Sequence, residues 1–461
     1  MFKPIILSLC SLALLLPTQA QTRLTGGGNL NPDLHTSTKA LKAWQDLRVG
    51  MCVHWGPSSL SGKEIGWSRS TSVPKNTYDS LYLRFNPERF DADQWCQLMK
   101  RWGMRYFAPT TKHHDGFALW FSDVSPYDME ATPAKRDLLA EMKTACDRHG
   151  ILFGAYYSIL DWYHPDCAPH EYGGPGTLIP KQADSPNATR YFDYMTAQVY
   201  ELIDRYDVAF IQFDGEWLGT YTHEVGSEMY RRFHTRKPDI LLNSRVDIGR
   251  RMAGADNHID MDGTTYAGDF QDRERLTNRG NQVAVWGDHP WQAWVTLDKS
   301  QWSYNPTPKL MTATELVRDM VSIVGSNGNY MINLGPRPDG TFEEGQIALM
   351  DTLGGWLKSY GEAIYGTRGG PYYPYEGGVS TRNGKRAWLL VTDPSIEVLE
   401  LPSAPQRLVS ARDKVSGGKV SFTVSDKTTR FELPKAVPSE PVRVIELRFA
   451  APVELCARQV L

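Results

Sequence analysis

The chain has 461 residues, 41% of them apolar, and a formal net charge of −3. That composition supports a large core, and the near-neutral balance lacks the basic footprint of a nucleic-acid-binding protein. Its 14 Trp, 22 Tyr and 16 Phe suit both core packing and contact with the apolar faces of sugars.

Residues 1–20 read as a leader, with Lys3 as the basic start, an apolar run over 5–16, and Thr18-Gln19-Ala20 as a small-residue cleavage site. Cleavage after Ala20 implies export, to the periplasm or the medium. No later stretch has 18 uncharged apolar residues, so no membrane insertion is expected. Without Cys10, five cysteines remain: Cys52, Cys96, Cys146, Cys167 and Cys456. Their spacing is not that of a metal framework, and buried thiols with at most one disulfide are expected. Asn187-Ala188-Thr189 is a glycosylation sequon, meaningful only in a host that glycosylates.

From about residue 40 to 365, strand-like and helical patterns alternate. Strands are predicted at 48–54, 106–111, 152–157, 208–213, 240–244, 283–286 and 330–334, with an eighth inside the irregular stretch 247–282. Helices are predicted at 92–102, 135–149 and 188–206. Alternation over some 300 residues predicts an α/β chain, a (β/α)8-like TIM barrel over 21–367. After Thr367 the strands are short and no helix intervenes. Runs at 387–391, 396–401, 407–410, 420–424, 429–433 and 442–449 predict a C-terminal antiparallel β-sandwich over 368–461.

The polar residues gather where barrel strands end. Asp214 closes the run 208–213 and opens Asp214-Gly215-Glu216-Trp217. A buried strand has little use for a carboxylate unless it ends at a site, although Asp214 could also cap the next helix. His54-Trp55-Gly56 ends the first strand and Lys112-His113-His114-Asp115-Gly116-Phe117 the second. Tyr156-Tyr157-Ser158, followed by Asp161-Trp162, ends the third; Asn243-Ser244-Arg245 ends the fifth. On a barrel these converge on one mouth. Each has a simpler reading: His54 as a satisfied core histidine, Arg245 as the partner of an acid. His54, His113, His114 and Asp214 could also ligate zinc, but barrel metal hydrolases place H-x-H on the first strand, and only His54 stands here. A ring of His, Tyr, Trp, Arg and Asp suits a neutral polyol. Cleaving a glycoside with retention needs a second carboxyl about 5 Å from the first. Glu216, Asp247, Asp262, Asp269, Glu274 and Asp288 are candidates, and the residues alone do not choose among them.

These segments resemble glycoside hydrolase family 29, the α-L-fucosidases. Arg48-Val-Gly-Met-Cys-Val-His54-Trp-Gly, the segment from Phe85 to Trp95, Lys112-His-His-Asp-Gly-Phe117, Tyr156-Tyr-Ser and Asp161-Trp carry the resemblance. Asp214-Gly, Asn243-Ser-Arg245, Asn333-Leu-Gly-Pro-Arg-Pro-Asp-Gly340 and Ala363-Ile-Tyr-Gly-Thr-Arg368 continue it. The resemblance covers roughly residues 40–370. It implies exo-cleavage of terminal α-L-fucose from a glycan, with retention, through a covalent intermediate and without metal or organic cofactor. It assigns Asp214 as nucleophile and Glu274 as acid/base, with His54, His113, His114, Tyr157 and Arg245 on the sugar.

Three departures stand out. Asp272-Arg273 replaces a Thr-Pro before the acid/base. Glu64-Ile65-Gly66-Trp67 replaces an adjacent Glu-Trp, which keeps Trp67, and less securely Glu64, as sugar contacts. Trp291-Gln292 replaces a Trp-Glu. Trp67 or Phe117 would receive the 6-methyl group. The altered surroundings keep two other readings open: a fucose-binding protein that has lost turnover, and an exo-glycosidase for a related sugar such as L-galactose. A homo-oligomer is compatible with the sequence.

Overall fold

The computed structural model describes residues 26–167, 186–249, 265–274 and 289–456. The leader, the predicted strand 283–286, Asp262 and Asp288 lie outside the described residues. Side-chain caps set the helix starts: Asp91 accepts from the amide of Gln94 at the head of Ala92–Arg101, and Asn187 from that of Arg190 at the head of Ala188–Tyr206. The helix predicted from 135 begins at Leu138 because Asp137 is its cap.

Among the described residues, nine strands form the parallel sheet: β1 (Val49–Val53), β2 (Tyr106–Lys112), β3 (Leu152–Phe153), β4 (Ala155–Ser158), β5 (Phe210–Asp214), β6 (Leu241–Leu242), β7 (Gln271–Glu274), β8 (Trp291–Thr296) and β9 (Asn329–Leu334). Their order is β6-β5-β4-β2-β1-β9-β8-β7, with β3 a short pairing on β2. The two ends meet where Asn243, after β6, bridges Phe270, before β7. The ambiguous strand is therefore β7, inside 247–282 as expected. β8 was not predicted: Pro290 and Gln292 interrupt the apolar pattern that would have marked it.

Parallel pairing puts register partners on the same face, and alternate residues point inward. Cys52, Tyr106, Ala108, Tyr156, Phe210, Phe270, Trp294 and Met331 form one interior cluster, closed from below by Leu41 and Trp44. Two glycines make room for its rings. A Cβ at Gly50 would lie 2.5 Å from the Tyr106 ring, and one at Gly154 2.4 Å from that of Phe210. The outward residues pack under the helices in a second, larger cluster.

The C-terminal region holds two antiparallel sheets built from β10 (Arg368–Gly369), β11 (Gly378–Asn383), β12 (Arg386–Val391), β13 (Val398–Pro402), β14 (Leu408–Asp413), β15 (Ser421–Val424), β16 (Thr428–Glu432) and β17 (Arg443–Phe449). The orders are β10-β11-β12-β17-β14 and β13-β16-β15. Leu389 and Val391 face a core shared with Leu401, Phe431 and Ile445, whereas Trp388 and Leu390 join the barrel's outer cluster. Burial on both faces explains the unbroken apolar run of β12. All five cysteines are buried thiols, with the sulfurs of Cys96 and Cys146 3.8 Å apart. Among the described residues, no helix is long and apolar enough to cross a membrane.

Candidate active site

The C-terminal ends of the barrel strands surround a cavity of about 300 Å³. Asp214 ends β5 and Glu274 ends β7, and among the described acids only these two line it. The other candidates have duties elsewhere. Asp269 accepts from Tyr230, His234 and the Leu242 amide, and Asp247 from His223 and the Ala267 amide. Glu216 is buried off the cavity wall.

One guanidinium joins the two carboxylates: Arg245 places Nη1 on Asp214 Oδ1 and Nη2 on Glu274 Oε1. Its Nε lies 2.9 Å from Asp272 Oδ2. Burial opposes the charge on Arg245, but Asp272, Glu274 and Asp214 outweigh it and hold the group well above its ordinary pKa. Arg245 is not among the residues that line the cavity and stands behind the two acids it bridges.

Tyr156, not Tyr157, faces the cavity. Its hydroxyl donates to Asp214 Oδ2 at 2.7 Å. Burial and the neighbouring Asp214 push its pKa well up, which keeps it a donor. The register explains the correction: Tyr156 pairs with inward Gln212 and Tyr157 with outward Phe213. Tyr157 donates instead to Gln198 at 2.8 Å. Its ring lies 4.5 Å under the Lys112 ammonium, which pairs with Asp161 at 3.1 Å in a fully buried contact. That pair ties the end of β2, and so His113 and His114, to the loop after β4. Gly116, at φ +82°, is needed there, since a Cβ would meet Asp161 Oδ1 at 2.4 Å.

The histidines are held neutral and oriented. His54 Nδ1 lies 2.7 Å from Asn333 Oδ1. The Asn333 amide nitrogen donates to Thr296 Oγ1 and to the Trp302 carbonyl, so its oxygen must accept from His54. His114 Nδ1 lies 2.6 Å from Ser158 Oγ, whose hydrogen goes to the Leu160 carbonyl. Both rings therefore carry the proton on Nδ1 and offer Nε2 as an acceptor. Burial lowers the pKa of each to about 4. His113 is pushed well down by burial and by its two histidine neighbours, and its Nδ1 has no protein partner among the described residues.

Trp67, Trp217, Trp294 and Trp302 complete the wall. Trp294 and Trp302 were not anticipated. The signal for Trp294 was an inward position on β8; Trp302 is brought in by Glu64. Glu64 is not among the residues that line the cavity. Ile65 and Gly66 separate it from Trp67, and its carboxylate accepts from the amides of Trp302 at 2.7 Å and Ser303 at 3.1 Å. Phe117 packs against Tyr82 and Tyr127 instead of lining the cavity. Among the described residues, no group of three or more His, Cys, Asp or Glu is arranged to hold a metal.

The comparisons with known proteins agree with this fold. Residues 22–362 match the Alpha-L-fucosidase family model. The tissue alpha-L-fucosidase of Bos taurus is 27% identical over 361 residues, covering 72% of this chain and 70% of that protein. The plasma alpha-L-fucosidase of Homo sapiens is 28% identical over 357 residues, covering 71% and 70%. An alpha-L-fucosidase of Bacteroides thetaiotaomicron superimposes with a TM-score of 0.78 at 28% identity, covering 95% of this chain and 99% of that one. A covalent intermediate of a GH29 alpha-L-fucosidase from that organism, trapped with 2-fluoro-fucosyl fluoride, gives 0.79 at 27% identity, covering 93% and 99%. With a family match over most of its length and paired acids at the mouth of the expected barrel, the chain belongs to the alpha-L-fucosidase family of glycoside hydrolases.

Proposed function

We propose that this α-L-fucosidase is an exported, exo-acting retaining enzyme that removes terminal α-L-fucose from oligosaccharides or glycoconjugates by double displacement. The observation that carries the reading is the pair Asp214 and Glu274, both on one cavity and both on the guanidinium of Arg245. A single planar group that holds both carboxylates supports a close pair, and a close pair, about 5 Å apart, is what retention requires.

Asp214 attacks the anomeric carbon while the bond to the leaving oxygen breaks, and Glu274 gives that oxygen its proton. Water then attacks the same carbon, loses a proton to Glu274, and releases Asp214 from the ester. His54 and His114 accept from sugar hydroxyls through Nε2, and His113 lines the same wall. The tryptophans cover the C–H faces and the 6-methyl. A cavity with a packed floor favours a chain end over an internal residue. Residues 1–20 support export ahead of a catalytic region over 21–367 and the C-terminal region 368–461.

The test is hydrolysis of an aryl α-L-fucoside beside other aryl glycosides, including the α-L-galactoside. Asp214→Gly should lose turnover. Glu274→Ala should lose it and regain it with azide, yielding a fucosyl azide of retained configuration. Undiminished turnover in Asp214→Gly would refute the nucleophile, and a preference for the galactoside would refute the substrate.

A further inference from the structure

The layer of side chains beneath the two acids is polar and continuous. Asp272 on β7 is the register partner of Gln292 on β8, and Gln212 stands one inward position below Asp214 on β5. The Tyr106 hydroxyl donates to Gln292 Oε1 at 2.9 Å, and Gln292 Nε2 donates to Gln212 Oε1 at 3.2 Å. Gln212 Nε2 donates to Asp272 Oδ2 at 2.6 Å, and Arg245 Nε donates to the same carboxylate. All five side chains are buried. The chain has one polarity, set by the Asp272 carboxylate: it accepts from the Gln212 amide, whose oxygen accepts from Gln292, whose oxygen in turn accepts from the phenol. Arg245 thus spends each arm of its fork on a different carboxylate.

A guanidinium resting on an acid that must donate a proton is a chemical difficulty, because a neighbouring cation favours the carboxylate form. Asp272 supplies the opposing charge on that same guanidinium. Among the described residues, the other charged or titratable groups facing Glu274 are Asp214, His54, His114 and Tyr156, with Glu216 acting on Arg245. The imidazoles are neutral and the phenol protonated. Among the described residues, Arg245 is a cation on Glu274, and Asp214 and Asp272 are anions on the same guanidinium.

We propose that Asp272, gripped by Gln212 and Gln292, is a positioning residue that fixes Arg245 and offsets its charge, so that Glu274 carries its proton while Asp214 stays anionic. This rests on the roles given to Asp214 and Glu274 above. Those roles fail separately, if Asp214→Gly keeps its turnover whatever Asp272 does.

The experiment compares Asp272→Asn, Gln292→Glu and the double variant in the full chain, measuring kcat, KM, the pH profile of kcat/KM and Tm with an aryl α-L-fucoside. Asp272→Asn is expected to lower kcat about 10- to 100-fold, as small misplacements of reacting groups do, with a much smaller change in KM. The alkaline limb of its profile should move to lower pH, since Arg245 is then less compensated. Gln292→Glu sets a second carboxylate across from Asp272 and should lower Tm. In the double variant the Gln212 amide can turn and rebuild the hydrogen bonds, but the charge now stands one strand away from Arg245. Its Tm should recover and its kcat should not. Unchanged kcat and pH profile in Asp272→Asn would overturn the proposal, and so would recovery of kcat together with Tm in the double variant. If Asp272→Asn alone fails to fold, the double variant carries the same comparison. Collapse of both would place the pair in stability and overturn the proposal equally.

Discussion

Acidification should destabilise the fold through the two oriented histidines, and the structure sets the size of the effect. His54 and His114 are buried and neutral, with pKa values lowered by burial from 6.5 to about 4. Unfolding returns them to water and to about 6.5. Between those values the unfolded chain binds protons that the folded chain refuses, so stability falls as pH falls through the window. One proton on each ring gives a slope of up to about 2.7 kcal/mol per pH unit, and each ring contributes about 3 kcal/mol across the window. Asp115 works in the opposite sense. Burial raises it to about 6, so the folded state takes its proton first, and its contribution is lost as pH rises through that value. The histidine part is isolated by difference. Urea denaturation at pH 7.5, 6 and 5 should show a steep loss of stability in the wild type and a shallower one in a His54→Gln, His114→Gln variant. Equal slopes in the two proteins would refute the reasoning.

Three further outcomes follow from single contacts. Tyr156→Phe removes a hydrogen bond to an ionised carboxylate, worth about 1.5–3 kcal/mol, and should lower kcat/KM about 10- to 100-fold; Tyr157→Phe should leave kinetics unchanged and cost about 1 kcal/mol in urea titrations through its bond to Gln198. Glu64→Gln points an amide donor at the Trp302 and Ser303 amides, so KM should rise more than kcat falls, read from initial rates over a range of fucoside concentrations. Lys112→Met leaves the buried Asp161 charge without its cation and should cost about 3–5 kcal/mol, seen as a large fall in Tm.

What could be read from the chain was what local pattern encodes. The run into Asp214 announces a strand and the acid at its end, and the order of strand and helix announces the barrel. Choosing Tyr156 over Tyr157 needs the register of β4 against β5, which is a pairing between distant segments. Strand β8 was hidden by Gln292, a polar residue pointing into the barrel, where an apolar one would have marked the strand. The family resemblance put Glu64 and Arg245 on the sugar. What the pattern does not give is their protein partners: Glu64 holds the backbone at 302–303 and Arg245 the acids from β5 and β7. Only the assembled fold brings those partners together.

The aromatic plug in the lower barrel has a kinetic meaning. Tyr106, Phe210 and Trp44 fill the interior below the polar layer, and Gly50 and Gly154 give their rings the room to do so. Among the described residues, a sugar seated above them has no way out through the barrel floor. In a double displacement the freed glycan would then have to depart before water could reach the fucosyl ester, making fucose the last product to leave. Free fucose would compete with incoming substrate for the same form of the enzyme. An alcohol arriving through the barrel mouth ahead of water would be fucosylated in its place.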